Sequence, residues 1–169
     1  IHGGNTTFGS VTFDLGAGTY TGGGTFTQTW VGFENYFNEG TGTETVIGSN
    51  ASNVITTGSG NNSISGGGGA DTILGGGGND TLDGGGGGDL LDGGAGDDRI
   101  IRSFGSSFQN NYAGGAGTDT AVTTAFSASV TFNMALGQVL VSGTAYENWT
   151  SFENYEGSGS ETVIGTSGA

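Results

Sequence analysis

An all-β solenoid is the fold this sequence predicts: parallel short strands stacked through glycine-rich turns, with irregular β segments on its flanks. Three observations predict it. A nine-residue period keeps one large aliphatic residue in phase. Glycine and aspartate recur at fixed places within that period. The stretches outside it alternate apolar and polar residues and offer no amphipathic helix.

Composition alone points elsewhere, because 40 glycines in 169 residues without a three-residue period ordinarily describe a flexible linker. Phase is what overrules that reading. The charge is as skewed as the glycine content, at −14, and Arg99 and Arg102 are the only basic residues apart from His2. Nucleic acid and anionic membranes require arrays of positive charge, so neither is a partner. Sixteen carboxylates pressed into a compact fold call for a counter-charge, which a divalent cation supplies. With no cysteine there is no disulfide framework. No apolar run reaches membrane-spanning length and residues 1–20 do not form a signal peptide, so any export address is expected outside this stretch.

In chain order, residues 1–38 form a first β segment. Residues 39–101 then divide into seven nonapeptides, of which the last four, GGGGADTIL, GGGGNDTLD, GGGGGDLLD and GGAGDDRII, are regular. Their sixth places hold Asp71, Asp80, Asp89 and Asp98, and their eighth Ile73, Leu82, Leu91 and Ile100. In the three earlier units the sixth place is Glu44, Asn53 or Asn62, while the eighth stays aliphatic as Val46, Ile55 and Ile64. Gly-Gly-x-Gly permits a tight turn, and the three residues after the aspartate position make a short strand whose middle side chain points inward. Two turns and two strands make an 18-residue coil. Stacking coils at about 4.8 Å lines up the aliphatic residues as a thin core. It also brings Asp71 to Asp89 along one edge and Asp80 to Asp98 along the other. Carboxylates so placed repel unless a cation lies between them. Oxygen-only ligands suit calcium, and an array without histidine or cysteine suits zinc and copper poorly.

These units resemble the RTX repeat, Gly-Gly-x-Gly-x-Asp-x-U-x with U large and apolar, of the β-roll domains in type I-secreted bacterial proteins. The resemblance covers 66–101 without fault and 39–65 in weakened form. It implies a parallel β-roll and calcium held by turn carbonyls and sixth-place aspartates from two successive coils. Carried over, one site is Gly67, Gly69 and Asp71 with Gly84, Gly86 and Asp89. The other is Gly76, Gly78 and Asp80 with Gly93, Ala95 and Asp98. Asn53 and Asn62 depart from the pattern, adding no charge, and are weaker candidates together with Asp119.

A longer repeat of about 119 residues overlies the short one: Ser10–Leu15 returns as Ser129–Met134, and Phe33-Glu34-Asn35-Tyr36 as Phe152-Glu153-Asn154-Tyr155. Residues 102–113 read as a connecting excursion, GGAGTDTAV at 114–122 as a nonapeptide opening the second copy, 123–155 as its β segment and 156–169 as the start of a second roll. The parent protein is expected to continue in both directions.

Nothing in the chain assembles a catalytic site. GxGxxG matches lack a following helix and a P-loop lysine, His2 stands alone, and no HExxH or Ser-His-Asp set exists. No enzyme activity is expected. Trp30, Phe33 and Tyr36, with Trp149, Phe152 and Tyr155, are read as core in preference to a carbohydrate platform. Asp83, Asp92 and Asp97 are read as solvated charge. The expected role is a calcium-binding structural repeat of a secreted or cell-surface bacterial protein (adhesin, surface layer or filament) that folds on calcium outside the cell. Its expected partners are calcium ions and neighbouring repeat modules, with a glycan or cell surface open. The alternatives are the C-terminal secretion domain of an extracellular hydrolase and a polysaccharide-binding module.

Overall fold

The structure, a computed structural model, describes residues 2–3, 11–22, 26–29, 34–102, 110–124, 130–141, 144–157 and 162–164. Among these residues every regular element is a strand, none is helical, and no helix is long and apolar enough to cross a membrane.

Alternate strands along the chain fall into two sheets. One sheet runs in parallel through Asn35–Asn38, Val54–Thr56, Thr72–Gly77, Leu90–Ala95, Asn111–Ala116 and Thr144–Thr150. The other runs in parallel through Val11–Asp14, Glu44–Ser49, Ser63–Gly67, Thr81–Asp83, Arg99–Arg102, Thr120–Thr123 and Asn154–Glu156. The predicted parallel β-roll solenoid is the observed fold.

Register places the eighth-place residues directly over one another. Tyr36, Ile55, Ile73, Leu91, Tyr112 and Trp149 form one column. Phe13, Val46, Ile64, Leu82, Ile100, Ala121 and Tyr155 form the other. The two columns face each other as the core, in which Ile55, Ile73, Leu82, Leu91 and Ile100 are fully buried. Aromatic residues fill its ends. The Phe13 and Tyr36 rings lie 4.5 Å apart, and Tyr112 meets Trp149 edge-on at 4.7 Å. Tyr36, Trp149 and Phe152 are buried, in keeping with a core role; Trp30 and Phe33 lie outside the described residues.

The glycine spacing has a conformational cause. In the four regular units and in 114–122, the residues at the second and fourth places take positive φ, as Gly76 (95°) and Gly78 (98°) do. A side chain there would also strike the coil beneath: a Cβ on Gly87 would overlap the Gly69 carbonyl. Gly58 and Gly60 occupy the same places in a weakened unit without positive φ, so that turn is built differently.

Part of the segment expected to be an excursion, 102–113, belongs to the stack. Arg102 ends one strand, and Asn111–Ala116 pairs in register with Leu90–Ala95. The separation between equivalent residues there is 21 instead of 18, so this coil is longer by three. Residues 103–109, with Phe104 and Phe108, lie outside the described residues.

Each copy of the long repeat contributes an antiparallel meander. The first is Val11–Asp14, Thr19–Gly22 and Phe26–Thr29; the second is Val130–Asn133, Gln138–Val141 and Thr144–Thr150. In both, the first strand pairs in parallel with the Thr-Val-Ile segment that follows, Phe13 opposite Val46 and Phe132 opposite Val163. Strands on either side of the second meander, Thr120–Thr123 and Asn154–Glu156, pair with each other in parallel. The meander is therefore an insertion within a coil, not a cap on the stack.

Candidate metal sites

Sixth-place side chains point into the turns, where they are packed out of water. Asp71, Asp80, Asp89, Asp98 and Asp119 are all buried. One oxygen of each has a fixed task, accepting the backbone N–H of the sixth-place residue one coil earlier. On one edge Asn53 N–H donates to Asp71 Oδ1 (2.7 Å), Asp71 N–H to Asp89 Oδ1 (3.0 Å), and Asp89 N–H to Asn110 Oδ1 (2.7 Å). On the other, Asn62 donates to Asp80 (2.7 Å), Asp80 to Asp98 (2.8 Å) and Asp98 to Asp119 (2.8 Å).

The second oxygen has no partner. Oδ2 of Asp71, Asp80, Asp89, Asp98 and Asp119 is buried and accepts no hydrogen bond from the protein. Such an arrangement is costly for one carboxylate and is here repeated on five. These oxygens sit beside first-place glycines and the carbonyls of the next coil. An ideal Cβ on Gly75 would lie 2.6 Å from Asp80 Oδ2 and 2.7 Å from the Gly93 carbonyl oxygen. Gly66 stands likewise between Asp71 Oδ2 and the Gly84 carbonyl, and Gly93 between Asp98 Oδ2 and the Gly114 carbonyl.

The donor set fits a hard cation. Among the described residues no group of three or more His, Cys, Asp or Glu side chains converges. Each turn pair thus brings at most two carboxylates, and further ligands must be carbonyl oxygens, a set that suits calcium better than zinc.

Electrostatics agree with an exposed need for positive charge. Burial pushes the Asp71 carboxyl up to about 6, the Asn53 N–H working against it and the Asp89 charge adding to it. Burial pushes Asp80 up to about 7, opposed by the Asn62 N–H and reinforced by Asp98. Asp89, Asp98 and Asp119 are raised too, burial again leading. A carboxyl raised in the fold above its unfolded value contributes stability that is complete below that unfolded value and lost as pH rises through the folded one. In divalent-free buffer the β-structure is therefore expected to diminish from about pH 4 to about pH 7. Far-ultraviolet circular dichroism checks this, and a β signal at pH 8 equal to or above that at pH 5 contradicts it.

The two asparagines differ. Asn62 Oδ1 accepts the Glu44 N–H at 2.9 Å, which leaves its Nδ2, a donor, buried and unpartnered where an aspartate would offer oxygen. Asn53 is turned the other way, with Nδ2 donating to the Glu34 carbonyl (2.7 Å) and Oδ1 accepting the Ser49 N–H (2.8 Å). Asp119, read from sequence as a weaker candidate, stands in the same geometry as the four roll aspartates. Asp97 is exposed but not merely solvated, since its Oδ1 accepts the Thr118 N–H at 2.9 Å. Asp83 Oδ1 likewise accepts the Gly85 N–H at 2.9 Å.

Sequence reading missed Asn110, Glu147 and Glu153. Each stands two places before a core aromatic, Tyr112, Trp149 or Tyr155, which is the sixth-to-eighth spacing of the nonapeptide without its glycines.

A parallel solenoid whose glycine turns at Gly66, Gly75 and Gly93 press half-satisfied carboxylates against carbonyl oxygens is a β-roll with turns suited to cations. Residues 40–109 match the model of the RTX calcium-binding nonapeptide repeat in four copies, at 40–73, 47–82, 65–100 and 74–109. Comparison with curated proteins and with solved structures found no match.

Proposed function

We propose that this chain is a calcium-dependent structural module of a secreted or cell-surface protein, without catalysis of its own, that folds when it meets extracellular calcium. The observation that carries this reading is the row of buried aspartate oxygens without a protein partner. Two ligand sets follow. Gly67, Gly69 and Asp71 with Gly84, Gly86 and Asp89 serve one edge; Gly76, Gly78 and Asp80 with Gly93, Ala95 and Asp98 serve the other. Bound calcium supplies double positive charge and tolerates irregular oxygen coordination. The turn glycines hold the carbonyls, and the ladder bonds to Oδ1 hold each carboxylate with Oδ2 turned toward them.

Extracellular placement rests on the family context and on calcium's abundance outside the cell. A chain without cysteine needs another staple there, and turn-bound calcium provides one. The meander's position within a coil favours neighbouring modules of the same chain as partners, each continuing the stack. Burial of Tyr36, Trp149 and Phe152 takes these three side chains out of the aromatic platform that the polysaccharide reading would need.

Substitution separates the assigned sites from the weaker ones. Asp89→Ala is expected to remove the site shared with Asp71, whereas Asn62→Ala leaves the calcium count unchanged. Titration calorimetry reads both, and equal losses would overturn the assignment.

A further inference from the structure

We propose a further calcium site at the junction of nonapeptide 114–122 with the second long repeat, formed by Asp119 Oδ2, the Ser151 carbonyl and the Glu153 carboxylate. It rests on the calcium reading above, but all three residues lie beyond the stretch matched to the RTX repeat, 40–109, and the Ser151 turn contains no nonapeptide.

The turn nevertheless reproduces the roll's cradle, except that Glu153 is exposed where the roll's aspartates are buried. Asp119 is fully buried and its Oδ2 has no partner. That oxygen lies 2.6 Å from where a Cβ on Gly114 would stand, and the same Cβ would overlap the Ser151 carbonyl oxygen. Gly75 is placed identically between Asp80 Oδ2 and the Gly93 carbonyl. Glu153 takes the part of the next sixth-place aspartate: its Oε2 accepts the Asp119 N–H at 2.8 Å, as Asp98 Oδ1 accepts that of Asp80. The backbone follows suit, with Asn154 N–H donating to the Asp119 carbonyl at 2.9 Å and Thr120 N–H to that of Asp98 at 2.8 Å. Ser151 delivers its carbonyl from φ 58°, and it is the only non-glycine with positive φ among the described residues. Glycines at positive φ shape the corresponding roll turns. The cation column would thereby cross from one module into the next and tie the inserted meander to the stack.

Calcium equivalents bound by the full 169-residue chain, counted by titration calorimetry with calcium chloride, test the proposal. Glu153→Gln keeps an oxygen to accept the Asp119 N–H and removes only the charge. It is expected to lose one equivalent, or to weaken one site by about tenfold or more, with an unchanged far-ultraviolet spectrum in saturating calcium. Gly114→Ala, which fills the cradle with a methyl group, is expected to lose the same equivalent. Ser151→Gly keeps the carbonyl and relieves the backbone, so its count should equal the parent's. A Glu153→Gln protein with the parent's count and affinities overturns this site alone. A parent chain that binds no calcium overturns both this site and the reading beneath it.

Discussion

Calcium removal is expected to abolish most of the β-structure of this chain, the largest effect any single change of conditions should have on it. Ordering 40 glycines costs more backbone entropy than ordering other residues. In return, the roll buries one large aliphatic side chain per nonapeptide, set in two columns only one residue wide. On top of that thin core lie six buried carboxylates with an oxygen each unpaired, the five aspartates and Glu44. Each site at a calcium concentration between its dissociation constant and ten times that value adds about 0.4–1.4 kcal/mol. Extracellular calcium modules typically bind at about 10⁻⁴–10⁻³ M. Several sites acting together then decide the balance outside the cell and contribute almost nothing at cytosolic calcium. Circular dichroism should show a disordered chain in chelator at pH 8 and a β spectrum in millimolar calcium. Protons should replace part of the effect, because Asp71 and Asp80, raised to about 6 and about 7, lose their charge on acidification. A β spectrum in chelator at pH 8, with melting unmoved by added calcium, would defeat the coupling.

What the sequence made legible was whatever repeats with a constant period. The eighth-place aliphatic residues became the two core columns, and the second- and fourth-place glycines the positive-φ corners. Sixth-place aspartates proved buried and paired across coils as the period required. Less legible was any coil that keeps its strand but drops its glycines. Asn110-Asn111-Tyr112 stacks on Asp89-Leu90-Leu91 because strand pairing needs only the inward residue and its neighbours. Absence of Gly-Gly-x-Gly made the same stretch look like an excursion. The orientation of Asn53 and of Asn62 was beyond reach for a different reason. An amide turns toward whichever group its neighbouring coil presents, the Glu34 carbonyl in one case and the Glu44 N–H in the other. No local pattern records that choice.

Equally hidden was an ion pair between residues 45 apart, and its loss is the second large effect expected. Arg102 Nε lies 2.9 and 2.8 Å from the two oxygens of Glu147, and both side chains are almost wholly out of water. Glu147 also accepts from Asn110 Nδ2 at 3.3 Å and Trp149 Nε1 at 3.1 Å. The cluster thus fastens the end of the Arg99–Arg102 strand to the last strand of the second meander, and Arg102 supplies positive charge beside a sixth-place acid. Arg102→Ala would leave a buried carboxylate with only neutral donors, a change that costs about 3–5 kcal/mol when one partner of a buried pair is removed. Saturating calcium should not restore the loss, since Glu147 stands two coils beyond Asp89, the last aspartate of the assigned site on that edge. Chemical unfolding in millimolar calcium, followed by fluorescence of Trp149 in a Trp30→Phe background, measures it directly. Replacing both partners, as Arg102→Met with Glu147→Leu, should recover much of the stability because no unpaired charge remains. An Arg102→Ala chain within about 1 kcal/mol of its parent would mean that the pair is screened as a surface pair is. The meander would then be held by the aromatic contacts of Trp149 with Tyr112 and Phe152.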